Sequence, residues 1–95
     1  MKAQHHPVIR TGRDFRESLR AGPYAWPGGY AVVYVCDDGA ALCAKCAKSE
    51  APLILRSIHA GIRDGWRVIG CQTVEVADEF GDETCAHCGI HLSTI

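Results

Sequence analysis

The stretch from Trp26 to Lys48, WPGGYAVVYVCDDGAALCAKCAK, decides the fold that this chain is expected to adopt. Its opening WPGG fits a type II turn, because Pro27 fixes its own φ and Gly28 supplies the positive φ that the next position requires. Residues 30–35, YAVVYV, are β-branched or aromatic apart from one alanine, and both alternating faces are apolar. This composition predicts a strand in the middle of a sheet.

A hairpin follows that strand directly. Asp37-Asp38-Gly39 is a turn signal, and residues 40–42 return as a short second strand. The second strand leads into Cys43, the first residue of a Cys-x-x-Cys pair that Cys46 completes. Such a pair supplies only two ligands, so it needs a partner pair elsewhere in the chain to complete a tetrahedral metal site.

The partner pair lies in Cys85-Ala86-His87-Cys88, which Gly89 follows. Glycine after the second cysteine is typical of a zinc knuckle, because it permits the tight turn that points backbone amides at the sulfur atoms. The candidate ligands of one structural Zn²⁺ are therefore Cys43, Cys46, Cys85 and Cys88. Four thiolates at about 2.3 Å close the coordination sphere to water and substrate, so the metal is expected to hold the fold.

Two further cysteines and two histidines complicate this pattern. Cys36 and Cys71 fall in predicted strands and are expected to be small buried hydrophobic residues. His87 and His91 would become ligands only if one of the four cysteines failed to reach the metal. A disulfide framework and a redox pair are the alternatives to zinc, but this spacing is typical of structural zinc sites.

A first helix is expected to begin with Thr11 or Asp14 as its N-cap and to stop at Gly22-Pro23. Its polar side carries Arg13, Arg16 and Arg20. These arginines can form a stripe that contacts phosphates. The interleaved acids Asp14 and Glu17 instead favour an ordinary solvated face.

A second helix is expected after Cys46. It should begin near Ser49 or Glu50, with Pro52 in its first turn, and end at Asp64-Gly65. Its apolar face is formed by Leu53, Ile54, Leu55, Ile58 and Ile62.

Residues 66–76 alternate loosely and predict a third strand, with a possible bulge at Gly70. Residues 77–84 are acidic and predict an exposed loop. The expected fold is therefore α+β, a small zinc-stabilised domain with a β-hairpin, a third antiparallel strand and one or two helices. Zinc-ribbon and treble-clef-like arrangements both fit this order of elements.

A chain of 95 residues predicts a single zinc-binding domain, 1–95, whose core alone is only marginally sufficient. The formal net charge of −1 provides no overall attraction to nucleic acid or membrane. The charges are unevenly distributed, since residues 1–20 are rich in arginine while residues 65–95 are mainly acidic.

No apolar run resembles a signal peptide, and none approaches the roughly 18 residues that span a bilayer. We therefore expect no membrane partner and a cytoplasmic location. Paired Cys-x-x-Cys units in such a reducing compartment indicate a metal more often than disulfides.

Three groups of residues carry a resemblance to a known family. They are Trp26-Pro27-Gly28-Gly29-Tyr30, Asp38-Gly39 with Leu42-Cys43-x-x-Cys46, and Trp66-Arg67-Val68 upstream of Cys85-x-x-Cys88-Gly89. In these residues the chain resembles small uncharacterised proteins encoded by tailed bacteriophages and their bacterial hosts. The resemblance covers most of residues 24–89. It implies a zinc-binding cytoplasmic protein, in the host cell if phage-encoded, with no assigned activity.

Two function classes fit these features, and a third fits less well. The first is a non-catalytic accessory or interaction protein with a protein partner, since no set of acid, base and nucleophile stands out. The second is a nucleic-acid-binding zinc protein that uses the arginines with Tyr24 or Trp26 as stacking groups. The third is a thiol-disulfide oxidoreductase, which would require a thiol of lowered pKa.

Overall fold

The computed structural model describes residues 5–25, 30–62, 64–74 and 84–92. Their elements in chain order are α1 Gly12–Arg20, β1 Tyr24–Ala25, β2 Tyr30–Cys36, β3 Ala41–Cys43, α2 Ala44–Ser49, α3 Ala51–Ala60 and β4 Val68–Thr73. The fold is α+β with an antiparallel sheet, as predicted. The predicted type II turn at 26–29 and most of the predicted acidic loop at 77–84 lie outside the described residues.

Thr11 is the N-cap of helix α1, which resolves the choice between the two candidate N-caps. The Asp14 amide donates to the Thr11 hydroxyl at 3.2 Å, and the Thr11 amide donates to the Asp14 carboxylate at 3.3 Å. This reciprocal capping box satisfies two backbone N–H groups at the helix start. The helix buries Phe15, whose ring meets that of Tyr34 edge to face at a centroid distance of 5.5 Å.

Strand β2 is the centre of the sheet, as its two apolar faces predicted. The amide of Val32 donates to the Pro23 carbonyl at 3.0 Å, and that of Cys36 donates to the Ala40 carbonyl at 2.8 Å. The amides of alternate residues in a strand point to the same edge of that strand. Those of Val32 and Cys36 therefore share one edge of β2, and β1 and β3 both lie along it. Strand β4 pairs with the opposite edge, where Tyr34 faces Cys71.

The predicted hairpin joins β2 to β3. Asp38 supports the turn, because its carboxylate accepts a hydrogen bond from the Ala40 amide at 2.9 Å. Gly39 adopts a φ of 86°, which is the left-handed conformation that glycine tolerates. The return strand is one residue further along than predicted, so Cys43 itself belongs to β3.

The region after Cys43 contains two helices where the sequence predicted one. Helix α2 begins at Ala44, so Cys46 lies inside a helix and not before one. Helix α3 begins after Glu50 with Pro52 in its first turn, as expected. Its end was predicted wrongly: Gly61, with a φ of 67°, caps the helix before Asp64-Gly65 is reached.

The buried face of α3 is narrower than the sequence predicted. Ile54 is fully buried, and Leu55 and Ile58 pack against the core. Leu53 and Ile62, which the periodicity placed on the same face, are 40% and 46% exposed. The left-handed glycine cap therefore determines the helix end more strongly than the continuing apolar pattern does.

Strand β4 is shorter than the predicted 66–76, and it contains the expected irregularity. Val35 pairs with Gly70 whereas Cys36 pairs with Val68, so Ile69 is an extra residue beside the predicted bulge position. The N-terminal segment covers the outer edge of β4. There the Ile9 amide donates to the Ile69 carbonyl at 2.9 Å.

The hydrophobic core contains side chains from the sheet, from the helices and from Leu92. Its largest fully buried hydrophobic side chains are Tyr34, Phe15, Ile54, Leu92, Val33 and Val68. Among the helices that the structure describes, none is long and apolar enough to cross a bilayer.

Gly70 provides a test of how the N-terminal segment covers the sheet. A Cβ at this position would clash with the carbonyl oxygen of Pro7. We expect Gly70→Ala to lower the free energy of unfolding by about 1–3 kcal/mol, because the backbone must move to make room. Urea denaturation measures this change. Gln72→Ala, at an exposed position of the same strand, is the matched control and should change it by less than about 0.5 kcal/mol.

Candidate metal centre

The first half of the site is built where β3 passes into α2. Cys43 is the last residue of β3 and the N-cap of α2, with φ −67° and ψ 157°. Cys46 lies one turn into the helix, which brings both sulfur atoms to the same end of α2. Burial raises the pKa of the Cys43 thiol, while the Cys46 amide that points at its sulfur acts against this.

The second half of the site is a tight turn over residues 85–89. The Cys85 amide donates to the Ile90 carbonyl and the Gly89 amide donates to the Cys85 carbonyl, both at 2.9 Å. Gly89 has a φ of 77°, so the turn uses a conformation that suits glycine. These bonds give the knuckle that the Cys-x-x-Cys-Gly pattern predicted.

Two hydrogen bonds join the halves. The Ala86 amide donates to the Ala41 carbonyl at 2.8 Å, within a parallel bridge between Ala41 and Cys85. The Cys43 amide donates to the Cys85 sulfur at 3.4 Å. The knuckle is therefore attached to the free edge of β3, directly beside the first cysteine pair.

This attachment brings together the four cysteines that the sequence singled out. The sulfur atoms of Cys43, Cys46, Cys85 and Cys88 all lie within 4.8 Å of one another. The Cys43 and Cys88 sulfurs are 3.9 Å apart, close to the edge of about 3.8 Å of a tetrahedron with metal–sulfur distances of about 2.3 Å. The group can hold a metal ion.

The electrostatics of the group also suit a cation. Burial raises the pKa of Cys46, and the neighbouring thiols raise it further, because several negative charges cannot share this space without compensation. Burial opposes ionisation of Cys85 as well. The amides of Cys88, Cys43 and His87 point at its sulfur, however, and together with the Cys88 thiol they lower its pKa. Cys85 is thus prepared as a thiolate, and a bound dication would favour ionisation of the others.

The two remaining cysteines are buried strand residues, as predicted. Cys36 is 1% exposed and Cys71 is 6% exposed. Burial raises the pKa of Cys36 to about 12, assisted by the nearby charge of Asp38, and burial alone raises that of Cys71 to about 11. Among the described residues, neither belongs to the four-cysteine group.

The histidines near the knuckle make other contacts. His87 Nε2 lies 3.5 Å from the Glu50 carboxylate, and its ring meets that of Trp66 at a centroid distance of 5.9 Å. His91 takes part in a backbone bridge with Thr84. In the described part of the chain the metal-ligand group contains no histidine. Sequence reasoning missed the contact between His87 and Glu50, because only the tertiary fold brings the knuckle to the start of α3.

The four cysteines differ in accessibility. Cys43, Cys46 and Cys85 are 4%, 5% and 2% exposed, whereas Cys88 is exposed. A thioredoxin-like pair would need an accessible thiol of lowered pKa at the first position of its Cys-x-x-Cys. Cys43 is buried with a raised pKa, and Cys85 has a lowered pKa but is buried, so neither pair has this arrangement.

Comparison with known proteins adds no further assignment. No protein-family model matches the chain, and no curated protein or solved structure matches it. The interpretation of the site therefore depends on its own geometry.

The knuckle glycine tests how turn geometry supports the metal centre. Gly89 and Gly61 both have a positive φ, and a Cβ at either position would meet no atom within 4 Å. An alanine at either position therefore introduces backbone strain of about 1–2 kcal/mol without a clash. We expect Gly89→Ala to weaken metal binding by about 5- to 30-fold, since the strain falls on the turn that orients two of the sulfurs.

Competition with a chelator of known affinity measures this effect. Gly61→Ala, at the end of α3, is the matched control, because the same strain there affects metal affinity only through fold stability, so Gly89→Ala should lose more metal affinity. Equal loss of metal affinity in both variants would show that the turn at Gly89 has no specific role.

Proposed function

We propose that this chain is a small accessory or interaction protein, without catalytic activity, whose single domain is held together by one structural Zn²⁺ bound to Cys43, Cys46, Cys85 and Cys88. The observation that carries the proposal is the meeting of four sulfur atoms within 4.8 Å of one another, contributed by two separate parts of the chain. Two matched Cys-x-x-Cys units that converge in this way are typical of a structural zinc site.

The ligand chemistry supports zinc among the biological metals. Thiolates favour zinc, copper(I) and iron–sulfur clusters, and a tetrahedral set of four sulfurs indicates zinc or iron. Paired Cys-x-x-Cys units that bind metal suit a reducing compartment, and we propose the cytoplasm.

The position of the site supports a structural role. Its ligands come from β3, from α2 and from the knuckle, so one ion would cross-link three parts of the fold. A set of four thiolates also leaves zinc no open position at which water or substrate could be activated. A chain of this size gains much of its stability from such a link.

Exposed apolar groups beside the site support an interaction role. Tyr24 is 47% exposed and Ile90 is 40% exposed, and both line a cavity of about 410 Å³ next to the cysteines. An aromatic and an aliphatic side chain at the rim of a cavity are common features of protein-binding surfaces. We therefore favour a protein partner.

Metal content tests the proposal directly. Native mass spectrometry of the purified protein should show one zinc per chain, and both Cys43→Ser and Cys88→Ser should lose it, because each removes one of four ligands. Cys71→Ala, which removes a thiol outside the group, should keep the zinc. A folded wild-type protein without metal and with four reactive thiols would contradict the assignment.

Removal of the metal from the same protein tests whether the ion is structural. Zinc binding in small metal domains contributes about 10–16 kcal/mol, as much as the whole folding stability of a typical domain. A strong chelator should therefore remove most of the secondary-structure signal in circular dichroism. An unchanged spectrum and melting temperature would show that the core is stable alone.

One observation favours nucleic-acid binding as a second candidate function. Arg13, Arg16 and Arg20 are exposed on one side of α1, and no described carboxylate forms an ion pair with them. The two acidic residues between these arginines, Asp14 and Glu17, contact groups other than the arginine side chains. The Arg10 amide donates to the Asp14 carboxylate and lowers its pKa, and Glu17 lies 3.1 Å from His6 Nε2.

Oligonucleotide binding separates the two candidates. The carboxylates of Asp14 and Glu17 alternate with the arginines along α1, so we expect only weak, non-specific affinity for mixed DNA and RNA, with a Kd of about 10⁻⁴ to 10⁻⁶ M at physiological salt. Fluorescence anisotropy at several salt concentrations measures it. Sub-micromolar binding that is lost when all three arginines are replaced by alanine would favour nucleic-acid recognition instead.

A further inference from the structure

The four cysteines of the proposed zinc site are not equally reachable from solvent. Cys88 is exposed, whereas Cys43, Cys46 and Cys85 are each at most 5% exposed. A cavity of about 410 Å³ opens against Cys43, Cys46 and Cys88. A small reagent can therefore reach Cys88 from solvent, and it can approach Cys43, Cys46 and Cys88 through the cavity.

The cavity also indicates which reagents can enter. Its walls are largely apolar and include Tyr24, Val32 and Ile90. Its volume lies in the range of small-molecule sites, so it admits molecules much larger than hydrogen peroxide. An uncharged oxidant, including one with an organic substituent, suits these walls better than a charged one.

Cys88 lies against three buried thiols, those of Cys43, Cys46 and Cys85. The Cys43 and Cys88 sulfurs are 3.9 Å apart, and a disulfide bond requires about 2.05 Å. Cys43 ends a strand whereas Cys46 lies inside α2, and Cys88 lies in an exposed turn, so a small shift of the turn would bring Cys88 to Cys43. Cys85 is less available, because its sulfur is buried and accepts hydrogen bonds from the amides of Cys88, Cys43 and His87.

We propose that Cys88 is an oxidative modification site at which a hydroperoxide attacks the metal centre, and that Cys43 then closes a Cys43–Cys88 disulfide with release of the zinc. This inference rests on the proposed zinc site.

The reaction has two steps. The Cys88 thiolate attacks the O–O bond, so that an S–O bond forms and the O–O bond breaks. The sulfur loses two electrons, and the leaving oxygen takes a proton to become water or an alcohol. The Cys43 thiolate then attacks the Cys88 sulfur, the S–S bond forms, and hydroxide leaves and is protonated to water. Once Cys43 and Cys88 are joined, only Cys46 and Cys85 would remain to hold the metal, which would leave as Zn²⁺ without a change of oxidation state.

The oxidised protein keeps part of the connection that the metal would supply. A Cys43–Cys88 disulfide joins the end of β3 to the knuckle, which are two of the three parts of the fold that the zinc would link, and it leaves Cys46 of α2 outside the link. Cys46 and Cys85 become free thiols. Oxidation therefore exchanges a metal link for a covalent one, and reduction in the presence of zinc restores the original centre.

Zinc release from the full chain tests this inference. Native mass spectrometry first establishes one zinc per chain, and a chromogenic zinc chelator then follows release with hydrogen peroxide and, separately, with cumene hydroperoxide. We expect release of one zinc per chain, and peptide mapping should identify a Cys43–Cys88 disulfide. Release with hydrogen peroxide only would show that the centre admits small oxidants alone. Release with cumene hydroperoxide as well would show that an organic hydroperoxide also reaches Cys88.

The decisive variant is Cys88→His, because three cysteines and one histidine still form a structural zinc site. It should retain zinc and release it at least about tenfold more slowly, since it lacks the accessible thiolate. Cys43→His should also retain zinc but accumulate a sulfenic acid at Cys88 that dimedone traps. Cys71→Ala is the matched control and should behave like the wild type.

Unchanged release from Cys88→His, a disulfide from Cys88 to Cys46 or Cys85, or resistance of the zinc-loaded protein to both reagents would overturn the inference and leave the zinc site intact. A protein that carries no zinc at the outset would overturn the proposed function instead. In that case the mapped disulfide still decides whether Cys88 and Cys43 react together.

Discussion

The attachment of the knuckle to the edge of β3 is the contact on which the rest of the site depends. The Ala86 amide donates to the Ala41 carbonyl, and the Cys43 amide donates to the Cys85 sulfur. The first bond adds one parallel bridge to the edge of the sheet, and the second holds the Cys85 sulfur beside Cys43. Because the two bonds lie only two residues apart on β3, sheet pairing and sulfur placement are parts of the same contact.

Local signals made part of this structure predictable. Strand β2 was predictable from its apolar run, and the turn after it from Asp37-Asp38-Gly39. A hairpin pairs residues that are close in sequence, so a local pattern is enough to predict it. The four-cysteine group was predictable for a different reason, because a metal needs a complete ligand set whatever separates its members. The end of α3 was not predictable from periodicity, because one glycine in the left-handed conformation stops a helix whose apolar pattern continues.

Other features depend on tertiary contacts that no local pattern carries. Cys46 lies inside α2 because Cys43 ends β3 in an extended conformation and the chain turns at once into helix. The difference in exposure between Cys88 and the other three cysteines of the group arises from the knuckle, which places Cys85 against β3 and Cys88 at the outer end of the turn. Similarly, the carboxylates of Asp14 and Glu17 interact with the helix cap and with His6, a pairing that charge counting along α1 does not show.

The distribution of burial gives the site its chemical character. Three cysteines are enclosed, and burial together with mutual proximity makes their simultaneous ionisation unfavourable without a cation. A dication would reverse this balance, so folding and metal binding would support each other. The fourth cysteine, Cys88, belongs to the same group but lies at the surface. A change at Cys88 would therefore act on the contacts between parts of the fold, because a site of four thiolates that loses one of them holds its metal less tightly.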